Sequence, residues 1–200
     1  MCVLRHHRLS LVVMLYVVRH ARPLVEPGVC YGATDVPADV PATHTAAMAL
    51  AQALPPGVRV RFSPMLRCVQ LAKGLQHLRP ELHYHSDARL VEMNFGQWEG
   101  QRWDAINKAE IDAWTNSFGD WRCGGAENVS EVMARVATAW DECMAHSTGQ
   151  PTVWITHAGV IRAASLIARG QRAINRADQW PADAPAWGEC WQLTATAQRP

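Results

Sequence analysis

Two short stretches of this chain, MLYVV at 14–18 and TVWIT at 152–156, are apolar without polar alternation, and they lead into Arg19-His20 and His157. A strand that is apolar on both faces must be covered on both, as in a parallel sheet flanked by helices. The rest of the pattern agrees with that architecture. An alanine-rich helix is expected over 42–54, a strand over 58–62, and a helix opening at SPMLRC with Ser63 as N-cap and Pro64 at its first position. Further helices are expected over 101–118, carrying Trp103, Ile106 and Trp114, from near Asn128, and over VIRAASLIA after His157. A last strand falls at 189–195. With 200 residues, no repeat and no linker, the chain has room for one α/β domain with a real core.

Three of these strands end alike. The first (14–19) reaches Arg19-His20, the second leads to Ser63 and Arg67, and the third reaches His157. Open α/β sheets bind ligands at the carboxyl ends of their strands. Neighbouring strands would therefore gather two imidazoles and two guanidiniums at one spot. Helix N-termini after Ser63 and His157 would add backbone N–H donors. Positive charge nearby makes an imidazole harder to protonate. A neutral, nucleophilic histidine in a cationic cup suits chemistry on an anion such as phosphate. The formal net charge is only +1, so the cationic character is local and no overall field points to nucleic acid.

Breaking a phosphate ester also needs an acid for the leaving oxygen. Glu92, in VEMNFGQWEG, is the first candidate, with Phe95 and Trp98 beside it to desolvate it; Glu99 and Asp35 are rivals that pattern does not separate. His83 and His85 share one face of a strand, but nothing nearby completes a metal set, so they read as an exposed strand. Of the nine tryptophans, Trp98, Trp103, Trp114 and Trp121 cluster around the expected site, as lid packing or as a pocket for an aromatic leaving group.

The six cysteines are scattered without CxxC or metal-ligand spacing, which reads as reduced thiols in a cytoplasmic protein. MCVLRHHR before an apolar run has the look of a signal peptide. That run, however, continues unbroken into RHARP with no A-x-A-like site before it. Residues 1–13 are therefore read as an extension outside the fold, and 14–200 as the single domain, with Met14 as a candidate start.

VVRHARP, SPMLRC, VEMNFGQWEG, GGAEN and ITHAG resemble, in order and context, the histidine phosphatase (phosphoglycerate-mutase-like) superfamily. GVCYGATDVP and FGQWEG look most like its α-ribazole phosphatase branch, which acts in the cobalamin pathway. The resemblance implies a three-layer α/β/α sandwich and a phosphomonoester hydrolase that needs neither metal nor other cofactor. His20 would become phosphohistidine, Arg19, Arg67 and His157 would bind the phosphoryl oxygens, and Glu92 would donate the proton. Arg22, Tyr31, Thr34, Ala158 and Trp98 are the expected substrate-binding positions. The implied partner is a small phosphomonoester, with a homodimer as a possible assembly and neither nucleic acid nor membrane involved. A mutase-type phosphotransferase and a phospho-ligand binder without turnover are the alternatives. Ala21 stands where the family usually has glycine, Arg22 where many members have Glu or Gln, and Glu127 is one place later than the usual glutamate.

Overall fold

The computed structural model describes residues 11–145 and 150–197. Five strands, β1 (Leu11–Arg19), β2 (Arg59–Phe62), β3 (His83–Ser86), β4 (Thr152–Thr156) and β5 (Cys190–Ala197), form one sheet in the order β3-β2-β4-β1-β5. The pairings β3–β2, β2–β4 and β4–β1 are parallel; β5 runs antiparallel along β1. Residue alternation along the strands divides the core in two. Tyr16, Val18, Val60, Val153 and Ile155 face α1 (Val40–Ala53) and α2 (Leu66–Leu78). Leu15, Val17 and Trp154 face α4 (Val129–Ala145) and α5 (Ala158–Ala168). This is the expected α/β/α sandwich. All of β4 is buried, because helices cover it on both sides.

Several boundaries differ from the sequence reading. β1 begins at Leu11, so residues 11–13, assigned to the extension, pair with β5; residues 1–10 lie outside the described residues. α1 starts at Val40 because the Asp39 side chain accepts from the Ala42 N–H at 2.9 Å. The helix expected over 101–118 is two pieces, a 3₁₀ turn at Trp103–Ala105 and α3 at Lys108–Asn116. Asn107 restarts it by accepting from the Ala109 N–H at 2.9 Å, a capping signal that the apolar pattern masked. α2 begins at Leu66, and Ser63 is not its cap.

His83 and His85 are exposed on the edge strand β3. No cluster of three or more metal-ligating side chains occurs among the described residues. Cys30, Cys68, Cys123, Cys143 and Cys190 are free thiols. Among the described residues no helix is long and apolar enough to cross a membrane.

Trp154, fully buried at the centre of β4, anchors the α4–α5 side of the core. Trp154→Ala is expected to cost about 3–5 kcal/mol in urea unfolding; a loss under about 1 kcal/mol would contradict this packing.

Candidate active site

The register of the three central strands sets the site. Arg19 lies opposite Thr156, and Phe62 opposite Ile155, so the residues that follow emerge level with one another. His20 N donates to Thr156 O at 2.9 Å and Ser63 N to Ile155 O at 3.0 Å, extending both ladders by one residue. The rings of His20 and His157 consequently meet edge-on, centroids 5.2 Å apart.

Arg67, fully buried in the first turn of α2, ties the cluster together. Its Nε donates to His157 Nδ1 (3.3 Å), Nη1 to Thr34 O (3.0 Å) and Nη2 to Gly32 O (2.7 Å), and it lies over the Tyr31 ring at 5.3 Å. These hydrogen-bond partners are all neutral, and two of the five guanidinium N–H donors remain. Gly32 must be glycine, since a Cβ there would sit 1.9 Å from Met93 O. Arg19 donates from Nη1 to Pro185 O (3.2 Å), lies 5.3 Å under Trp187, and has a buried Nε with no partner among the described residues.

Both imidazoles are held neutral. Burial first, then the Arg67 and Arg19 charges, push His20 down to about 3, although the Ala21 carbonyl pulls the other way. His157 is pushed well below its usual value by burial, then by Arg67 and His20. Burial therefore outweighs the nearby cations that sequence reasoning emphasises. A carbonyl can only accept, so the 2.7 Å contact from His20 Nδ1 to Ala21 O puts the proton on Nδ1 and leaves the lone pair on Nε2. Ala21 needs no glycine: among the described residues no non-glycine has a positive φ, and its methyl is buried.

Ser63, expected as a helix cap, instead has its hydroxyl 2.8 Å from His157 Nε2. Three of the backbone N–H groups at these helix starts are already engaged by side chains. Leu66 N donates to Asp35 Oδ1 (2.6 Å), Met65 N to Ser63 Oγ (3.3 Å) and Gly159 N to Glu92 Oε2 (3.1 Å). All three candidate acids accept backbone N–H bonds, Glu92 from Met93 N (3.0 Å) as well as from Gly159 N, and they differ in the segment each one meets. Asp35 is bound to α2. Glu99 braces the 33–34 turn, accepting from Ala33 N, Thr34 N, Thr34 Oγ1 and Phe95 N. Burial works to raise its pKa, but these bonds outweigh it and hold the carboxyl below its usual range. Glu92 lies against the N-terminus of α5, where a Cβ on Gly159 would approach Oε1 to 2.3 Å.

Glu92 is positioned from behind. Arg135 Nη1 donates to Arg89 O (2.8 Å) and Val91 O (2.7 Å), while its Nε pairs with Glu127 (2.8 Å). Glu127 also accepts from Asn94 N at 3.1 Å, so the displaced glutamate still serves this loop.

Of the expected substrate-binding residues, Tyr31 stands at the cluster, and Ala158 is the first residue of α5. Thr34 contributes its carbonyl to Arg67 and turns its hydroxyl to Glu99. Arg22 is exposed and bonded to Asp39 at 3.2 Å. Trp98 is 2 % exposed and donates to Glu110, within the core rather than at an open surface. Sequence reasoning brings Ser63 to the site only as a helix cap, and misses Trp187 and Arg162 as neighbours of the site. Ser63 follows a strand as His157 does, a usable signal; Trp187 and Arg162 arrive only through tertiary packing.

Residues 15–192 match the Histidine phosphatase superfamily (branch 1). The chain belongs to that superfamily. No curated protein matches it with significance. Among solved structures, a protein described as mycobacterial hydrolase 2 is 22% identical, with TM-score 0.79 over 94% of this chain and 84% of its own. A mycobacterial glucosyl-3-phosphoglycerate phosphatase is 22% identical, with TM-score 0.76 over 92% of this chain and 91% of its own. TTHB049 from Thermus thermophilus is 25% identical, with TM-score 0.66 over 90% of this chain and 92% of its own. These likenesses show the histidine phosphatase fold.

The neutral histidines link stability to pH. Folded His20 and His157 resist protonation, whereas in the unfolded chain they take up protons below about 6.5. Their contribution is complete above about 6.5 and declines as pH falls toward about 3. Urea midpoints are expected to drop between pH 7 and pH 5; midpoints that hold or rise would contradict buried neutral imidazoles.

Proposed function

We propose that this protein is a phosphomonoester hydrolase working through a phosphohistidine at His20. The observation that carries this reading is the ring itself: Nδ1–H is engaged by Ala21 O, Nε2 keeps its lone pair, and burial keeps the ring neutral beside Arg67. Nε2 attacks phosphorus, the bond to the alcohol oxygen breaks, and Glu92 gives that oxygen its proton. Phosphorylation makes the ring cationic, and the Nδ1–H bond to the Ala21 carbonyl then strengthens. In the second step water attacks phosphorus, Glu92 takes its proton, and the P–N bond breaks to release phosphate. Arg19, through its unpartnered Nε, and Arg67, through its two remaining donors, stabilise the equatorial oxygens.

His157 enters differently. Its Nδ1 accepts from Arg67 and its Nε2 faces Ser63 Oγ. With Nδ1 accepting from Arg67, the proton of neutral His157 sits on Nε2 and is donated to Ser63 Oγ, and when phosphate arrives that N–H is the one His157 can turn to a phosphoryl oxygen. Ser63 thereby positions the tautomer without touching the substrate.

The alternatives have less support. A mutase needs cations for a second anionic group, yet the cations between Glu92 and Gly124 are paired at the surface: Arg102 with Asp104, Lys108 with Asp112, Arg122 with Glu131. The binder reading rested on Ala21 and Arg22, and neither distorts the cluster. Within the phosphatase class, GVCYGATDVP and FGQWEG favour α-ribazole 5′-phosphate as the finer reading, in a reducing, cytoplasmic setting.

Rapid acid-free quenching of turnover with p-nitrophenyl phosphate is expected to trap an acid-labile, base-stable phosphoenzyme. His20→Ala is expected to abolish it and to lower kcat by at least about 10³-fold. A near wild-type rate in His20→Ala would overturn the assignment.

A further inference from the structure

Arg19 reaches the site on a long, jointed side chain, and among the described residues no carboxylate pairs with it. Two contacts hold its head. Nη1 donates to Pro185 O at 3.2 Å, and the guanidinium carbon lies 5.3 Å from the centre of the Trp187 ring. Cation–π attraction extends to about 6 Å from a ring centre and is best for indole. Trp187 itself is 49 % exposed and belongs to neither half of the core.

The backbone that carries this ring is built onto the residues beside it. Ala186 to Glu189 form a turn, closed by Glu189 N donating to Ala186 O at 3.0 Å. The Glu189 carboxylate also takes the Ala186 N–H at 2.6 Å. Gly188, third in the turn, has φ +79°, a conformation glycine adopts freely. Its N–H meets Arg19 O (3.1 Å) and His20 O (3.2 Å), and Arg19 N donates to Glu189 O (3.2 Å). Further back, Arg162 Nη2 ties the same segment through Ala182 O at 2.9 Å. Ring and guanidinium are thus set on two backbone stretches that are bonded directly to each other.

A carboxylate could also hold Arg19, but it would neutralise the charge and occupy the donors an anion needs. A ring covers the flat face of the guanidinium and leaves the N–H groups along its edge free. The buried Nε, without a partner among the described residues, is such a donor. Arg67 is held in a similar way, with Tyr31 against it at 5.3 Å, and Tyr31 and Trp187 line one cavity.

We propose that Trp187 is the positioning residue of Arg19, fixing the guanidinium plane so that its Nε–H edge meets the phosphoryl oxygens. It acts through Arg19 and leaves the reacting atoms untouched. Its effect on rate rests on the phosphohistidine reading above; its effect on anion binding does not.

Two variants separate the π face from mere bulk: Trp187→Leu removes the face, and Trp187→Phe keeps one. Each is assayed with p-nitrophenyl phosphate and titrated calorimetrically with inorganic phosphate. Trp187→Leu is expected to lower kcat/KM and to weaken phosphate binding, each about tenfold. Trp187→Phe is expected to stay within about threefold of the unaltered protein in both. The urea midpoint of Trp187→Leu is expected to be unchanged, because the ring lies outside the core. Unchanged rate and binding in Trp187→Leu, or equal losses in the two variants with or without a lower urea midpoint, would overturn the positioning role and leave the phosphatase reading standing. Phosphate binding that weakens in Trp187→Leu alone, without turnover by the unaltered protein, would uphold the positioning role and overturn the phosphatase reading. Neither binding nor turnover in the unaltered protein would overturn both.

Discussion

A buried guanidinium whose hydrogen-bond partners are all neutral is the constraint around which this molecule is arranged. Arg67 is fully enclosed and bonded to two carbonyls and an imidazole nitrogen. Burying a charge without a counter-charge costs several kcal/mol unless other groups compensate. Here the compensation is partial, through carbonyl dipoles and the Tyr31 face, and the site is left complementary to an anion. Burial first, and the same charge second, deny protons to His20 and His157. Arg67 thus contributes to both nucleophilicity and anion affinity.

The acid side is built by close approach. Gly32 brings the β1–α1 loop onto the Met93 carbonyl, and Gly159 lets Glu92 settle on the α5 N-terminus. Arg135 and Glu127 hold the loop from behind, joining the carboxylate to α4. Glu92 also lines a cavity with Phe95, Trp103 and Trp114.

Much of this was legible in the chain. MLYVV and TVWIT announce strands covered on both faces, and the residues that follow them do converge, because β2, β4 and β1 are neighbours in register. What escaped notice depends on distant partners. Ser-Pro before a helix is a strong local capping signal, yet Ser63 turns to His157, 94 residues away. Glu92, Glu99 and Asp35 look equivalent as letters, and only the segments they meet tell them apart: the 33–34 turn for Glu99, the start of α2 for Asp35 and the start of α5 for Glu92. Four tryptophans were visible as a cluster, but which ones line a cavity depends on the break at Asn107 and on Trp180, far along the chain. The helix N-termini do lie at the strand ends; that the protein's own side chains take three of their donors was not readable.

The central claim is that His20 waits as a neutral imidazole with its proton on Nδ1, and imidazole ¹⁵N NMR through a pH titration tests it most directly. The account predicts an Nδ1–H tautomer of His20 that persists unprotonated from pH 8 down to at least about pH 4.5. Titration of that ring with a midpoint near 6.5, or a dominant Nε2–H tautomer, would contradict it.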